Sequence, residues 1–326
     1  MSDFKTRRSE FDVTNRVKVS DPIAVSAAVQ AIYSDLYPRG SLKPLRTAFA
    51  DFARMYRGED PHFHGCETTY HDMQHSLDVT LSLARHIDGY ERSQRPSRRL
   101  GAKRAVVGIV TALYHDVGYL RSTRDRRHRD GAEYTLSHVS RGGHFLGHYL
   151  DRLGLGSDAH IASQMIHYTG YERDINRIQL GDERYTRLGH LLGTADLTTQ
   201  MADRCYLEKC RDRLYMEFVK GGVAERRMPD GKTFVLYSSP RDLMQKTPGF
   251  FHKTLADRLD GTFGRAHEFA ARHFGGHSLY MESVRHNIAH LQRIIHHNDW
   301  SLLRRQPPLF TAESMRWKLL PQIGSA

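Results

Sequence analysis

The stretch Ala105-Val-Val-Gly-Ile-Val-Thr-Ala-Leu-Tyr-His115-Asp116 decides the fold class. Its apolar positions, Ala105, Val106, Ile109, Val110, Ala112 and Leu113, fit the spacing of a buried helix. It runs directly into a histidine and an aspartate. It also lies in a block, residues 97–228, that contains no proline, the strongest helix breaker. Working outward, the same spacing predicts helices around Phe145–Leu153, stopped by Gly154 and Gly156, and around Ile161–Ile166, Leu188–Ala195 and Cys205–Phe218. Upstream, Ile23–Leu36, Leu45–Tyr56 and His71–His86 read the same way. Downstream come Phe250–Leu259, Ala266–Phe274 and Ser283–Ile295, the last with Val284, Ile288, Leu291 and Ile295 on one face. The exception is Arg227–Tyr237, a Pro-Asp-Gly turn followed by a β-prone run. The fold expected is an all-α helical bundle with at most a small hairpin near 227–237. Residues 1–44 form an N-terminal helical segment, 45–300 the main domain and 301–326 a C-terminal tail.

Composition narrows the function classes. The chain has 326 residues, 39% hydrophobic and 26% charged, which fits a globular fold with a sizeable core. No run approaches the ~18 consecutive apolar residues of a membrane helix, and the N-terminus lacks the apolar core of a secretory signal. The three cysteines, Cys66, Cys205 and Cys210, form no C-x-x-C pair; they exclude a disulfide scaffold and a thiolate zinc site and fit the reducing cytoplasm. The net charge of +11 suits an anionic partner such as a nucleotide or phosphoester. The basic clusters Arg92–Arg104 and Arg121–Arg129 carry no interleaved aromatics, so nucleic acid is not the expected partner. A homodimer stays open.

Histidine is unusually frequent, with 21 residues. It is the commonest metal ligand and the commonest acid–base group near neutral pH. His71, His75 and Asp78, then His115 and Asp116, then His138, His167 and Asp196 fall one group per predicted helix or helix end. A helical bundle builds a metal site this way, each facing helix projecting one or two ligands inward. His71 and His75 are i and i+4, which puts them on one helical face. Asp78 is placed to accept the second ring N–H of His75, as carboxylates often do for ligand histidines. Taken singly, each of these histidines reads as an ordinary hydrogen-bonded core residue; the joint order is the signal. The others, His86 and His190 among them, read as surface or supporting residues.

That order resembles the HD superfamily of metal-dependent phosphohydrolases. Tyr70-His-Asp-Met-Gln-His-Ser-Leu-Asp-Val79 resembles the Tyr-His-Asn-x-x-His-x-x-Asp-Val signature of class I cyclic-nucleotide phosphodiesterases. Thr194-Ala-Asp-Leu-Thr-Thr199 resembles their Ala-Asp-Leu-Ser-Asn segment. In the middle of the chain, His138-Val-Ser-Arg-Gly142 and His167 are similar to the ligand pattern of the HD-GYP cyclic-dinucleotide phosphodiesterases. The chain departs from both. Gly118-Tyr119-Leu120-Arg121 follows His115-Asp116-Val117 where the phosphodiesterases have Asp-His-Pro-Gly, Gln245 is out of register with their nucleotide-clamping glutamine, and the Gly-Tyr-Pro tripeptide is absent.

The resemblance implies two divalent metal ions, Mn, Fe, Zn, Ni or Mg, which mixed nitrogen and oxygen ligands suit. His75, His115, Asp116 and Asp196 would bind the first. Asp116 would bridge to the second, with His138 and His167 as its further ligands. The function implied is hydrolysis of a phosphodiester, foremost a cyclic nucleotide, by a metal-activated hydroxide, with His71 as the general acid and Asp116 at the catalytic centre. Related readings are a nucleotidase or nucleotide triphosphohydrolase, a cyclic-dinucleotide phosphodiesterase, an HD-type oxygenase using mixed-valence iron, and a metal-binding module without turnover.

Overall fold

The computed structural model describes residues 6–228 and 230–319, with side chains through Arg316. Residues 1–5 of the N-terminal segment, Pro229 of the expected turn and 320–326 of the expected tail lie outside the described residues. The chain is mainly helical. In order it forms α1 (Pro22–Leu36), α2 (Lys43–Arg57), α3 (Met73–Ser93), α4 (Ala102–Leu113), α5 (His138–Arg152), α6 (Ala159–Met165), α7 (Glu183–Ala202), α8 (Tyr206–Lys209) and α9 (Tyr215–Lys220). The hairpin β1 (Glu225–Arg227) and β2 (Thr233–Val235) comes next, antiparallel, with Arg226 opposite Phe234. Then come α10 (Pro240–Thr254), α11 (Glu268–His273), α12 (Leu279–His297) and α13 (Ala312–Leu319). The all-α bundle with a small hairpin is thus what the chain forms. Among the described residues no helix is long and apolar enough to cross a membrane.

The axis of the bundle is α3, buried at every position from Met73 to Glu91. A helix hydrophobic or buried all round must be surrounded, and α1, α4, α7 and α11 pack against it. Gly89 permits the closest approach: a Cβ there would lie 1.7 Å from the Phe269 carbonyl oxygen of α11. The start of α3 corrects the sequence reading. Asp72, in extended backbone, caps the helix by accepting the His75 N–H at 3.1 Å. His71 therefore precedes the helix, and the His71/His75 spacing is not a helical i, i+4 pair. Aspartate is a preferred N-cap because its side chain satisfies an otherwise orphaned N–H.

Two segments near the ends of the described chain tie into this frame. Near the N-terminus, Asp12 accepts the Arg16 and Val17 N–H groups and pairs with Arg85 of α3 at 2.5 Å, and Gln74 donates to the Ser9 carbonyl. Beyond residue 301, Leu303, Phe310, Ala312 and Met315 are buried, and the Ala312 N–H donates to the Cys66 carbonyl at 2.7 Å. The described part of the expected tail is therefore packed into the core, not peripheral.

Two helical stretches widen into π turns, Cys210–Leu214 between α8 and α9 and Leu255–Thr262 after α10. A π turn takes more residues than an α turn, so it rotates the downstream side chains off the 3.6-residue phase.

Candidate metal centre

His75 is buried in the first turn of α3. His115 and Asp116 stand just past the end of α4, before the single turn Val117–Tyr119. Asp196 is on the buried face of α7. These four meet. His75 Nε2 lies 3.4 Å from Asp116 Oδ2 and 3.4 Å from Asp196 Oδ1. His115 Nε2 lies 3.1 Å from Asp116 Oδ2, 3.7 Å from Asp196 Oδ1 and 3.3 Å from His75 Nε2. His75, His115 and Asp116 are buried and form a group that could hold a metal ion.

The chemistry of this donor set favours a cation at its centre. His115 Nδ1 donates to the Ala112 carbonyl at 2.8 Å, so in the neutral ring Nε2 carries a lone pair. That lone pair faces two carboxylates and a second imidazole. Asp116 Oδ2 is buried and accepts no aligned hydrogen bond. Burial opposes charge on His115, yet the Asp116 carboxylate overrides it and pushes the ring up to about 9. The pocket therefore calls for positive charge. One proton can satisfy one pair; a metal ion satisfies all four groups at once. Donors each ~2.1 Å from a common ion are about 3.0–3.4 Å apart, close to the spacings seen here.

Asp116 has a second face. His138, the first residue of α5, brings Nε2 to 3.7 Å from Asp116 Oδ1. Its Nδ1 donates to the Thr135 carbonyl at 2.8 Å, again leaving Nε2 as the free acceptor. Burial lowers the pKa of this ring. Glu172 fixes the start of α5 by accepting the Val139 and Ser140 N–H groups at 2.8 and 3.0 Å. Gly118 brings the two segments together: a Cβ there would sit 1.8 Å from the His138 carbonyl oxygen.

His167 is buried in the short turn Ile166–Thr169, and its Nδ1 has no partner. It forms no ion pair or hydrogen bond with Asp116 or His138. Burial, then Arg173, lowers its pKa to about 4, so the ring is neutral. Asp78 also stands apart. It makes no hydrogen bond to His75, and its Oδ1 is buried without a partner. Burial, then the carboxylates of Asp12 and Asp203, push it up to about 7. Its charged neighbours are Asp12 and Arg7 of the N-terminal strap together with Asp203 and Arg85, not the imidazole expected.

His71 lies beside the cluster but outside it. Its ring is 5.7 Å from that of His75, and its Nδ1 is 2.6 Å from Glu217 Oε2. Glu217 Oε1 accepts the Tyr70 N–H at 2.5 Å. Burial works against the charged ring, but Glu217 prevails and the His71 pKa is raised. Tyr119 stacks on His71 at 4.8 Å and on His138 at 4.2 Å, while the two imidazoles are themselves 6.2 Å apart.

Glu217, Tyr119 and Glu172 were not read from the sequence as site residues. Glu217 sits at the end of the amphipathic Cys205–Phe218 stretch, where a buried acid was the available signal. Tyr119 and Glu172 are placed by tertiary packing and carry no local signal. No protein-family model matches the chain, and no curated protein matches it.

Proposed function

We propose that the protein is a metal-dependent phosphohydrolase that cleaves a phosphodiester, foremost a cyclic nucleotide, with His71 as the general acid. The observation that carries this reading is the convergence of His75, His115, Asp116 and Asp196 on one point, two imidazole Nε2 atoms facing two carboxylates. These residues would hold one divalent ion. Asp116 would share a second with His138, because its two oxygens face the two groups separately. Bound divalent metal supplies Lewis acidity and a water of lowered pKa at such a site.

The chain's own residues do the rest. Glu217 holds the His71 Nδ1 proton and favours the imidazolium, so the ring can release a proton to a leaving oxygen. Tyr119 stacks against both His71 and His138 and so restricts the rotation of each ring. A metal module without turnover has no use for a buried carboxylate charging a histidine outside the ligand set, and this favours the enzyme reading.

The test is elemental analysis after loading with Mn, together with hydrolysis of bis(p-nitrophenyl) phosphate and then of cyclic nucleotides. About two ions per chain are expected. Asp116→Asn should lose most of both, and His138→Ala should lose one. Full occupancy in Asp116→Asn, or no metal in the unmodified protein, would sink the proposal.

A further inference from the structure

Arg258 is a buried cation outside the metal-binding and proton-donating groups. It lies in the π turn Leu255–Thr262 and is 9% exposed. Its Nη2 donates to the Gly170 carbonyl at 2.7 Å, and its guanidinium lies 3.7 Å over the Tyr171 ring. Its Nη1 is buried with no partner. No carboxylate pairs with it among the described residues. Burying an uncompensated charge is costly, and burial lowers the pKa of this guanidinium. Such a group persists where something anionic completes it.

Its position says where the anion belongs. Phe263, at the end of the same π turn, packs on His190 and close to Gly193 of α7, one helical turn before Asp196. Asp196 is the carboxylate whose field reaches the guanidinium. Gly170, which accepts from Nη2, is three residues past His167 and two before Glu172, the residue that fixes the start of α5 at His138. Arg258 thus holds the segment between His167 and Glu172 through the Gly170 carbonyl, and its own turn packs through Phe263 on α7, three residues before Asp196. Tyr171, 63% exposed, lies with its ring against the guanidinium.

We infer that Arg258 is an anion clamp beside the metal centre, its free Nη1 binding a non-bridging oxygen of a phosphoester. Guanidinium suits this task because its planar fork can hold a protein carbonyl with one nitrogen and a phosphoryl oxygen with the other. The inference rests on the phosphohydrolase reading and adds the residue that recognises the phosphoryl group.

Calorimetric titration of inorganic phosphate into Mn-loaded protein tests it, with metal content measured on the same samples. Arg258→Gln should bind phosphate about 10- to 100-fold more weakly at unchanged metal content, the loss typical of one charge-assisted contact. A merely structural role would instead disturb Gly170 and Glu172 and cost metal at His138. Should Arg258→Gln fail to fold, Arg258→Lys keeps the charge but not the fork, and should still bind phosphate several-fold more weakly. Folded variants that bind phosphate as tightly as the unmodified protein would overturn the clamp and leave the phosphohydrolase reading standing. Metal-loaded protein that binds no phosphate would overturn both.

Discussion

Glu217→Gln isolates the charge that holds the His71 proton. The Glu217 carboxylate faces His71 Nδ1 at 2.6 Å and the Tyr70 N–H at 2.5 Å. Glutamine keeps the shape and loses the charge. A hydrogen bond to a charged group contributes ~1.5–3 kcal/mol and a neutral one ~0.5–1.5 kcal/mol. The difference, about 1–1.5 kcal/mol, is a factor of about ten in the imidazolium population. In the unmodified protein, activity should fall as pH rises through the raised His71 pKa. In Glu217→Gln that fall should begin at lower pH, because burial then acts with less opposition. The assay is kcat/KM against pH for two phosphodiesters, one with an alkoxide leaving group and one with p-nitrophenolate. With the alkoxide, the rate near pH 8 should drop about tenfold, and less near pH 6. With p-nitrophenolate, which hardly needs a proton, it should change little. An unshifted basic limb at intact metal content, or equal losses with both leaving groups, would refute the reasoning.

Two further outcomes test the frame around the site. Gly118→Ala forces a Cβ against the His138 carbonyl oxygen, 1.8 Å away before relaxation, and should cost ~1–3 kcal/mol in urea unfolding while lowering metal occupancy; unchanged stability would contradict the close approach. His86, read from the sequence as a surface or supporting residue, is fully buried and donates from Nδ1 to the Ser82 carbonyl, and burial lowers its pKa to about 4. The unfolded chain takes up that proton near its ordinary value of 6.5. Stability from this residue is thus complete above that value and lost as pH falls from there toward 4, by up to about 1.4 kcal/mol per pH unit. Urea melts across that window should show a shallower slope in His86→Leu; an identical slope would count against a neutral buried ring.

The helical class was legible because Ala105–Leu113 and its neighbours carry the 3.6-residue pattern and lack proline. The meeting of His75, His115, Asp116 and Asp196 was legible as an order of residue types, one group per helix. The start of α3 was misread by following histidine spacing past Asp72, whose capping preference marks the boundary. Glu217 escaped although it stands at i+11 from Tyr206, on the face that Cys210 and Arg213 also share, because an acid on a buried helical face does not announce which histidine it will meet. The packing of 303–315 escaped because Leu303, Phe310 and Met315 are spaced without a period. The separation of Asp78 from His75 depends on the charged strap from Arg7 to Asp12, which no local pattern announces.

Arg213 ties one of these straps to the metal centre. Its guanidinium donates to the Pro307 and Pro308 carbonyls on one side and to the Thr69 carbonyl on the other, and it lies 3.9 Å from the Asp72 carboxylate that caps α3. Detaching 303–315 therefore loosens the cap that presents His75. Equilibrium linkage is reciprocal: if release of the segment weakens ion binding by some factor, ion binding must disfavour release by the same factor. Resistance of the chain to a protease that cuts within 303–315 then becomes a thermometer for occupancy of a site buried in the bundle.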